Sequence, residues 1–327
     1  MGSPSIAADR ARPPRRARQF IQRLRHGDEL AHLITLLAAA SIIVITVMLV
    51  YQLYINSQLP RHKFGLAFFL GRVWDPVGED FGALPFIYGT VVSSALALLI
   101  AVPLGVGAAI FLSELAPLRI SNALTFVIEL LAAVPSVIYG LLGIFVLVPV
   151  LRKVVMPFLK GTLGFLPLFK GPIYGVSMLA GGVVLAIMIV PFIISVSREV
   201  LLAVPVEQRE AALGLGATKW ESTWQVVVPY ARVGIMASIF LALARALGET
   251  MAVTMVIGND PKINASLFAP GYSIAAVIAN EFTEATGDMY LQALIELGLV
   301  LFLLTILING LARLVIVATA QRGATAP

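Results

Sequence analysis

The chain has 327 residues, 59% of them hydrophobic and only 13% charged, with a mean hydropathy of +0.94. Soluble domains carry about 25% charged residues, so this composition argues against a soluble enzyme, a disordered chain and a nucleic-acid binder. The absence of cysteine excludes disulfides, thiolate zinc sites, iron–sulfur clusters and cysteine nucleophiles, and the +5 net charge reads as membrane topology because seven arginines sit in the first 30 residues.

Residues 1–30 form a polar, Arg-rich tail that cannot bury a core. The apolar run 31–55 is far longer than a signal-peptide core of about 7–15 residues, and no small-x-small cleavage site follows it. It is expected to be a retained membrane span. About 20 residues at 1.5 Å each cross a bilayer. Six runs qualify, roughly 31–55, 86–113, 121–150, 173–196, 231–257 and 290–317. They lack the period-2 alternation of barrel strands and are expected to be helices.

Pro103, Pro135 and Pro191 fall inside the second, third and fourth runs, where each removes a backbone hydrogen bond. Pro135-Ser136 is the best candidate for a broken helix whose freed backbone faces a cavity. The small residues around Gly105 and Gly107, and at Gly181-Gly182, fit close helix packing.

Basic residues set the orientation. With the N-terminus inside, about fourteen lie on the cytoplasmic side and about eight outside, and six spans put both termini in the cytoplasm. The expected outer loop 151–170 disagrees, carrying Arg152, Lys153, Lys160 and Lys170 without an acid. It can be read as a re-entrant or interfacial segment, or as a surface that attracts an anion. The other outer loops are 56–85 and 258–289, and the long inner connection is 197–230.

That inner connection is the most informative stretch. Pro205 suits a first helical position, Glu207 the positive end of a helix, and Gly216 a left-handed closing residue. Thr218-Lys-Trp-Glu221 has the form of a capping box. One short helix is therefore expected to end near Gly216 and another to begin at Thr218. This is either a helical connection or a docking element whose small face, Ala211 and Ala212, fits a partner's groove.

Glu210-Ala211-Ala212, then Gly216, then Val226-x-Val228-Pro229 resembles the EAA loop of ABC importer permeases, with Val where Ile and Leu are usual. Arg245-Ala-Leu-Gly-Glu249-Thr-Met-Ala and Ala133-Val-Pro135-Ser136-Val-Ile-Tyr139-Gly140 are similar to signatures of PstC-type phosphate importer permeases. The resemblance covers about residues 85–317. It implies an all-α membrane protein with the type I importer (MetI-like) permease fold, in which Glu210, Ala211, Ala212, Gly216 and Pro229 couple to a separate ATPase. It also implies a PstA-type sister permease, a PstB-type ATPase dimer and a PstS-type phosphate-binding protein as partners. The location implied is the bacterial cytoplasmic (inner) membrane. The expected organisation is a tail (1–30), a first span with its outer loop (31–85), a permease core (86–317) carrying the EAA loop at about 204–229, and a C-terminal tail (318–327).

Three charges fall deep in the expected spans: Glu129, Arg245 and Glu249, with Glu296 nearer the outer end. Intramembrane charges cost at least about 2.5–3.5 kcal/mol on insertion scales and usually face a bundle interior. Arg245 and Glu249 are four apart, hence on one helix face, and could pair with each other directly. They form either a fixed structural pair or a gate on an anion path. Arg offers a permanently charged fork suited to phosphate oxygens. A carboxylate can accept a hydrogen bond from the hydroxyl of HPO₄²⁻ and would repel sulfate, which has no proton to donate. Glu129, Pro135 and Ser136 complete the expected path.

No GxxxxGK[ST] motif is present; Leu213–Lys219 is Gly-rich but wrongly spaced. Ser136, Ser195 and Ser197 have no His near the spans, so no enzymatic chemistry is expected. No cofactor is expected in this chain; ATP and Mg would reside on the ATPase, and the lipid bilayer rather than a nucleic acid would surround it. The rival readings are an importer of another oxyanion, a self-sufficient secondary transporter or channel, and an intramembrane enzyme.

Overall fold

The computed structural model describes the backbone of residues 28–324 and the side chains of residues 31–314. Most of the expected N-terminal tail therefore lies outside the described residues. Among the described residues six helices are long and apolar enough to cross a membrane: Ala31–Ile55, Leu84–Leu115, Ser136–Leu163, Met178–Leu202, Lys219–Leu247 and Asp288–Leu314. Shorter helices join them, and among the described residues the named strands are the pair Trp74–Asp75 and Asp80–Phe81.

The first span, within the helix Asp28–Ile55, forms a unit of its own. Every side chain from Ala31 to Leu49 is exposed and the run is apolar all round, as suits a helix surrounded by lipid. Residues from Asn56 onward pack as the second unit.

At the centre of that unit the second span lies against the fourth. A Cβ at Gly105 would sit 2.7 Å from Ile193 Cγ2, and one at Gly182 would sit 2.5 Å from Leu96 Cδ2. Gly105 and Gly182 thus pack closely as expected, whereas Gly107 does not: nothing lies within 4 Å of a Cβ placed there. Val184, Leu185, Ile189 and Ile193 of the fourth span meet Ala242 and Ala246 of the fifth in the core. The buried hydroxyls of Ser197 and Ser238 share a 2.7 Å hydrogen bond between the same two spans. Pro103 and Pro191 sit inside helices that run on through them, so neither breaks its span.

Two expected spans are corrected. The third run is not one helix over 121–150. It divides into Leu118–Ala133 and a longer apolar helix starting at Ser136, which continues through 151–163. Arg152, Lys153 and Lys160 therefore stand on helix rather than on a loop. The fifth run ends at Leu247 instead of reaching 257, because the chain leaves helical geometry at Gly248 and restarts as the short helix Met251–Thr254.

Among the described residues there are four π turns: Phe111–Leu115 ends the second span, while Gly143–Leu147, Leu151–Val155 and Thr223–Val227 run on into helix. Each ends two residues before a proline: Pro117, Pro149, Pro157 and Pro229. A proline lacks the N–H for its i−4 carbonyl and its ring crowds that carbonyl. In the three turns that run on into helix, widening the turn before the proline relieves the crowding and rehouses the carbonyl; Pro117 lies past the end of its helix in extended backbone.

The fourth span fixes which loops share an end. At its start, the Ser177 N–H donates to Val256 O at 3.0 Å and that of Leu179 to Leu267 O at 2.9 Å. The Leu267 N–H donates to Leu168 O at 2.8 Å, and Lys160 Nζ to Gly171 O at 2.9 Å. Residues 156–177 and 256–271 thus lie together, and the helix Val206–Gly214 follows the opposite end of the span.

Residues 56–85, grouped in sequence with the first span, fold against the later chain. Phe68, Phe81 and Phe86 are buried with Tyr272, Ile274, Leu294 and Leu297. Burial holds the Tyr272 phenol protonated to well above its ordinary range, and the Asn280 amide donates to its oxygen at 3.1 Å.

Candidate functional site

The expected helix break lies at Val134–Pro135. Both residues are extended, with ψ of 130° and 140°. A residue before proline is driven out of the helical region by the ring, and Pro135 has no N–H for the Leu131 carbonyl. The Tyr139 hydroxyl fills that vacancy, donating to Leu131 O at 2.6 Å across the break. Next to it, Gly140 permits close approach of the short helix Met251–Thr254: a Cβ there would meet Met255 Sδ at 2.6 Å and Ala252 Cα at 3.2 Å. The two sequence signatures, 133–140 and 245–252, therefore meet in space.

Arg245 and Glu249 lie beside this junction, but not as one helical pair. The helix ends at Leu247, so the turn that would have stacked them is absent. Gly248 is the physical reason, being the poorest helix former apart from proline. Among the described residues no ion pair joins them. The Arg245 guanidinium instead lies 5.8 Å from the ring centroid of Phe192 on the fourth span, a cation–π distance. Glu249 Oε1 accepts from the Ala252 N–H at 3.2 Å and so holds the restart of the chain.

Glu129 sits on the helix before the break and is exposed, as are Pro135 and Arg245; Ser136 and Glu249 are half-buried. The surroundings are apolar and equally uncovered: Phe126 is 62% exposed, Leu130 54% and Ile138 52%. The five expected path residues thus share the neighbourhood of two chain breaks, with Glu129 on the far side of the first. Glu296, expected near the interface, is buried instead, 4% exposed.

The other expected site is built as the local signals predict. The helix Val206–Gly214 begins just after Pro205, one residue later than expected, and Gly216 closes it at φ +91°. Thr218 caps the next helix: its hydroxyl accepts from the Glu221 N–H at 3.3 Å, and Glu221 Oε2 accepts from the Thr218 N–H at 2.8 Å. Glu210 and Ala211 are exposed, Ala212 is half-buried, and Gly216 and Pro229 are exposed.

Sequence reasoning missed Arg209, one residue from the Glu-Ala-Ala run. Its Nε donates to Glu114 Oε2 at 3.1 Å and its Nη2 to Glu114 Oε1 at 2.9 Å. The same guanidinium donates to the carbonyls of Val204 and, at 2.7 Å, Leu201. Glu114 is 95 residues away in the chain, so no local pattern announces the pair. Tyr139 falls within one of the signatures, yet its bond across the break has no sequence signal of its own.

Residues 101–320 match the family model "Binding-protein-dependent transport system inner membrane component", and the chain belongs to that family. Among its relatives, the "Phosphate transport system permease protein PstC" of Mesorhizobium japonicum is 48% identical over 90% of this chain and 91% of its own length. The protein of the same name from Haemophilus influenzae is 46% identical over 88% of this chain and 92% of its own. A chain of a bacterial alginate ABC transporter, solved in complex with an alginate-bound periplasmic protein, superposes with a TM-score of 0.55 at 17% identity, covering 89% of this chain and 96% of that one. The fold is that of a type I ABC importer permease.

Proposed function

We propose that this chain is one of the two membrane-spanning subunits of an ATP-driven importer of inorganic phosphate. The observation that carries the reading is 48% identity over nine-tenths of the chain to a relative named as a phosphate transport permease. The apolar, uncovered surface around Arg245, Pro135 and Ile138 suits burial against a PstA-type sister permease, with the anion path between the two. A charge on such a surface needs a partner or a water-filled path. Arg245 meets phosphate oxygens with its fork, and Glu249 has one carboxylate oxygen left for the phosphate hydroxyl proton. Glu129, Pro135 and Ser136 line the approach.

The helix Val206–Gly214, with Glu210, Ala211 and Ala212, seats in a cleft of a PstB-type ATPase dimer, which carries ATP and Mg. Closure of that dimer moves the helix, and the permease pair alternates between outward and inward access. The chain is thus a transport subunit and not an enzyme. A PstS-type binding protein delivers phosphate at the end holding residues 156–177 and 256–271. The membrane is the bacterial cytoplasmic one, with both termini inside.

The test is reconstitution in liposomes with all four components. ATP-dependent uptake of labelled phosphate, resistant to excess sulfate, is the expected result. Uptake by this chain alone would mark a self-sufficient transporter, and uptake of sulfate or molybdate in preference would mark another oxyanion importer.

A further inference from the structure

The helix Val206–Gly214 is poorly attached by packing. None of its residues is buried, and the flanking Leu215 is 91% exposed. Its two ends are turning points, Pro205 in extended geometry and Gly216 in the left-handed region. A helix held only by such ends would rock when pushed, and the push would be lost. Arg209 is its one half-buried polar anchor: its side chain is 20% exposed and that of Glu114 is 10% exposed.

We infer that the Arg209–Glu114 pair is a strut that carries movement of this helix into the second and fourth spans. The fork engages both carboxylate oxygens at once, which fixes direction as well as distance. The same guanidinium takes the carbonyls of Leu201 and Val204, at and just beyond the end of the fourth span. Glu114 stands in the π turn Phe111–Leu115 that ends the second span. That turn is itself pinned, since the Ser121 hydroxyl donates to Leu112 O at 2.8 Å. One cation thereby joins three elements, and the fourth and second spans are the pair packed closely at Gly105 and Gly182. A displaced helix drags both together. Arg209 and Glu114 are positioning residues that touch neither phosphate nor nucleotide, and the inference rests on the proposal that the helix is driven by the ATPase.

The chain has no cysteine, so a single nitroxide at Glu207→Cys reports on this helix alone. In the complete reconstituted importer, Glu114→Gln should raise the label's mobility and cut phosphate moved per ATP hydrolysed about tenfold, while ATP hydrolysis continues. Arg209→Gln approaches the same strut from the other side and should give the same pair of changes. Glu114→Asp, which keeps the charge, should recover most of the ratio. Co-purification of the ATPase subunit verifies assembly for each variant. Unchanged label mobility in both Gln variants overturns the strut, and so does raised mobility with a wild-type phosphate-to-ATP ratio. A wild-type importer that hydrolyses ATP without moving phosphate refutes the phosphate reading instead, and the label then decides the strut by itself.

Discussion

The Tyr139 hydroxyl and the Leu131 carbonyl are joined at 2.6 Å across the Pro135 break, so the residue that breaks the helix and the one that repairs it lie in a single motif. Tyr139→Phe keeps the ring and removes only the donor. The Leu131 carbonyl retains the Val134 N–H at 3.2 Å, so the loss should be near the lower end of that for an orphaned acceptor, about 1 kcal/mol. The expected outcome is a slightly lower melting temperature of the purified permease with a larger fall in phosphate uptake. A fall in neither would mean the break needs no brace.

Gly140 and Gly161 allow a sign test. Both are helical, and replacing Gly by Ala in a helix gains about 1 kcal/mol of propensity. At Gly161 nothing lies within 4 Å of the new methyl, so Gly161→Ala should stabilise. At Gly140 the methyl meets Met255 Sδ at 2.6 Å and backbone at Ala252 Cα, 3.2 Å away. The sulfur can swing aside but the backbone cannot, and overpacking costs typically ~1–3 kcal/mol. Gly140→Ala should therefore destabilise, and thermal unfolding of the two variants side by side checks the opposite signs.

What was legible in the sequence was local. Gly216 and the box Thr218–Glu221 act within a few residues, and the structure has them where the pattern puts them. The spans were legible because a run of about 20 apolar residues has few other stable placements. Reading Arg245 and Glu249 as one face failed because the i,i+4 argument presumes an unbroken helix, and Gly248 was in plain view between them. The extension of the third span into 151–163 was obscured by its charges, which a helix end carries without difficulty. The strut from Arg209 to Glu114 and the fold of residues 56–85 depend on contacts far apart in the chain, and no window of sequence contains them.

The folded stretch 56–85 is held by one carboxylate in particular. Glu281 Oε2 accepts from Trp74 Nε1 at 2.8 Å and from the Tyr290 hydroxyl at 2.7 Å, while the Trp74 ring packs edge-on against Phe81 and Phe86. Trp74→Phe retains an aromatic ring and loses the donor, at about 1.5–3 kcal/mol for a hydrogen bond to a charged group. Glu281→Gln should cost less in the Trp74→Phe background than in the wild type, because one of its two donors is already gone and only the Tyr290 hydroxyl remains. Chemical or thermal unfolding of the four proteins in the cycle measures the coupling; additive losses would show that the two groups act separately.

On the proposed path, selectivity should turn on Glu249. Its Oε1 accepts from the Ala252 N–H, which leaves the other oxygen for the anion proposed to bind Arg245. Against HPO₄²⁻ that oxygen would accept a hydrogen bond from the phosphate hydroxyl; against SO₄²⁻ it would meet only lone pairs and repel. Glu249→Gln removes the repulsion and keeps an amide able to hold the Ala252 N–H. Sulfate, which is expected to leave wild-type uptake unchanged, should then compete with phosphate, and phosphate uptake should fall about tenfold or less. Arg245→Lys tests the other half. Lysine keeps the charge and loses the planar fork, so uptake of both anions should fall while the importer still assembles. Competition assays on the two variants separate the roles: selectivity should move with Glu249 and capacity with Arg245. Sulfate competition appearing in Arg245→Lys and not in Glu249→Gln would reverse the assignment.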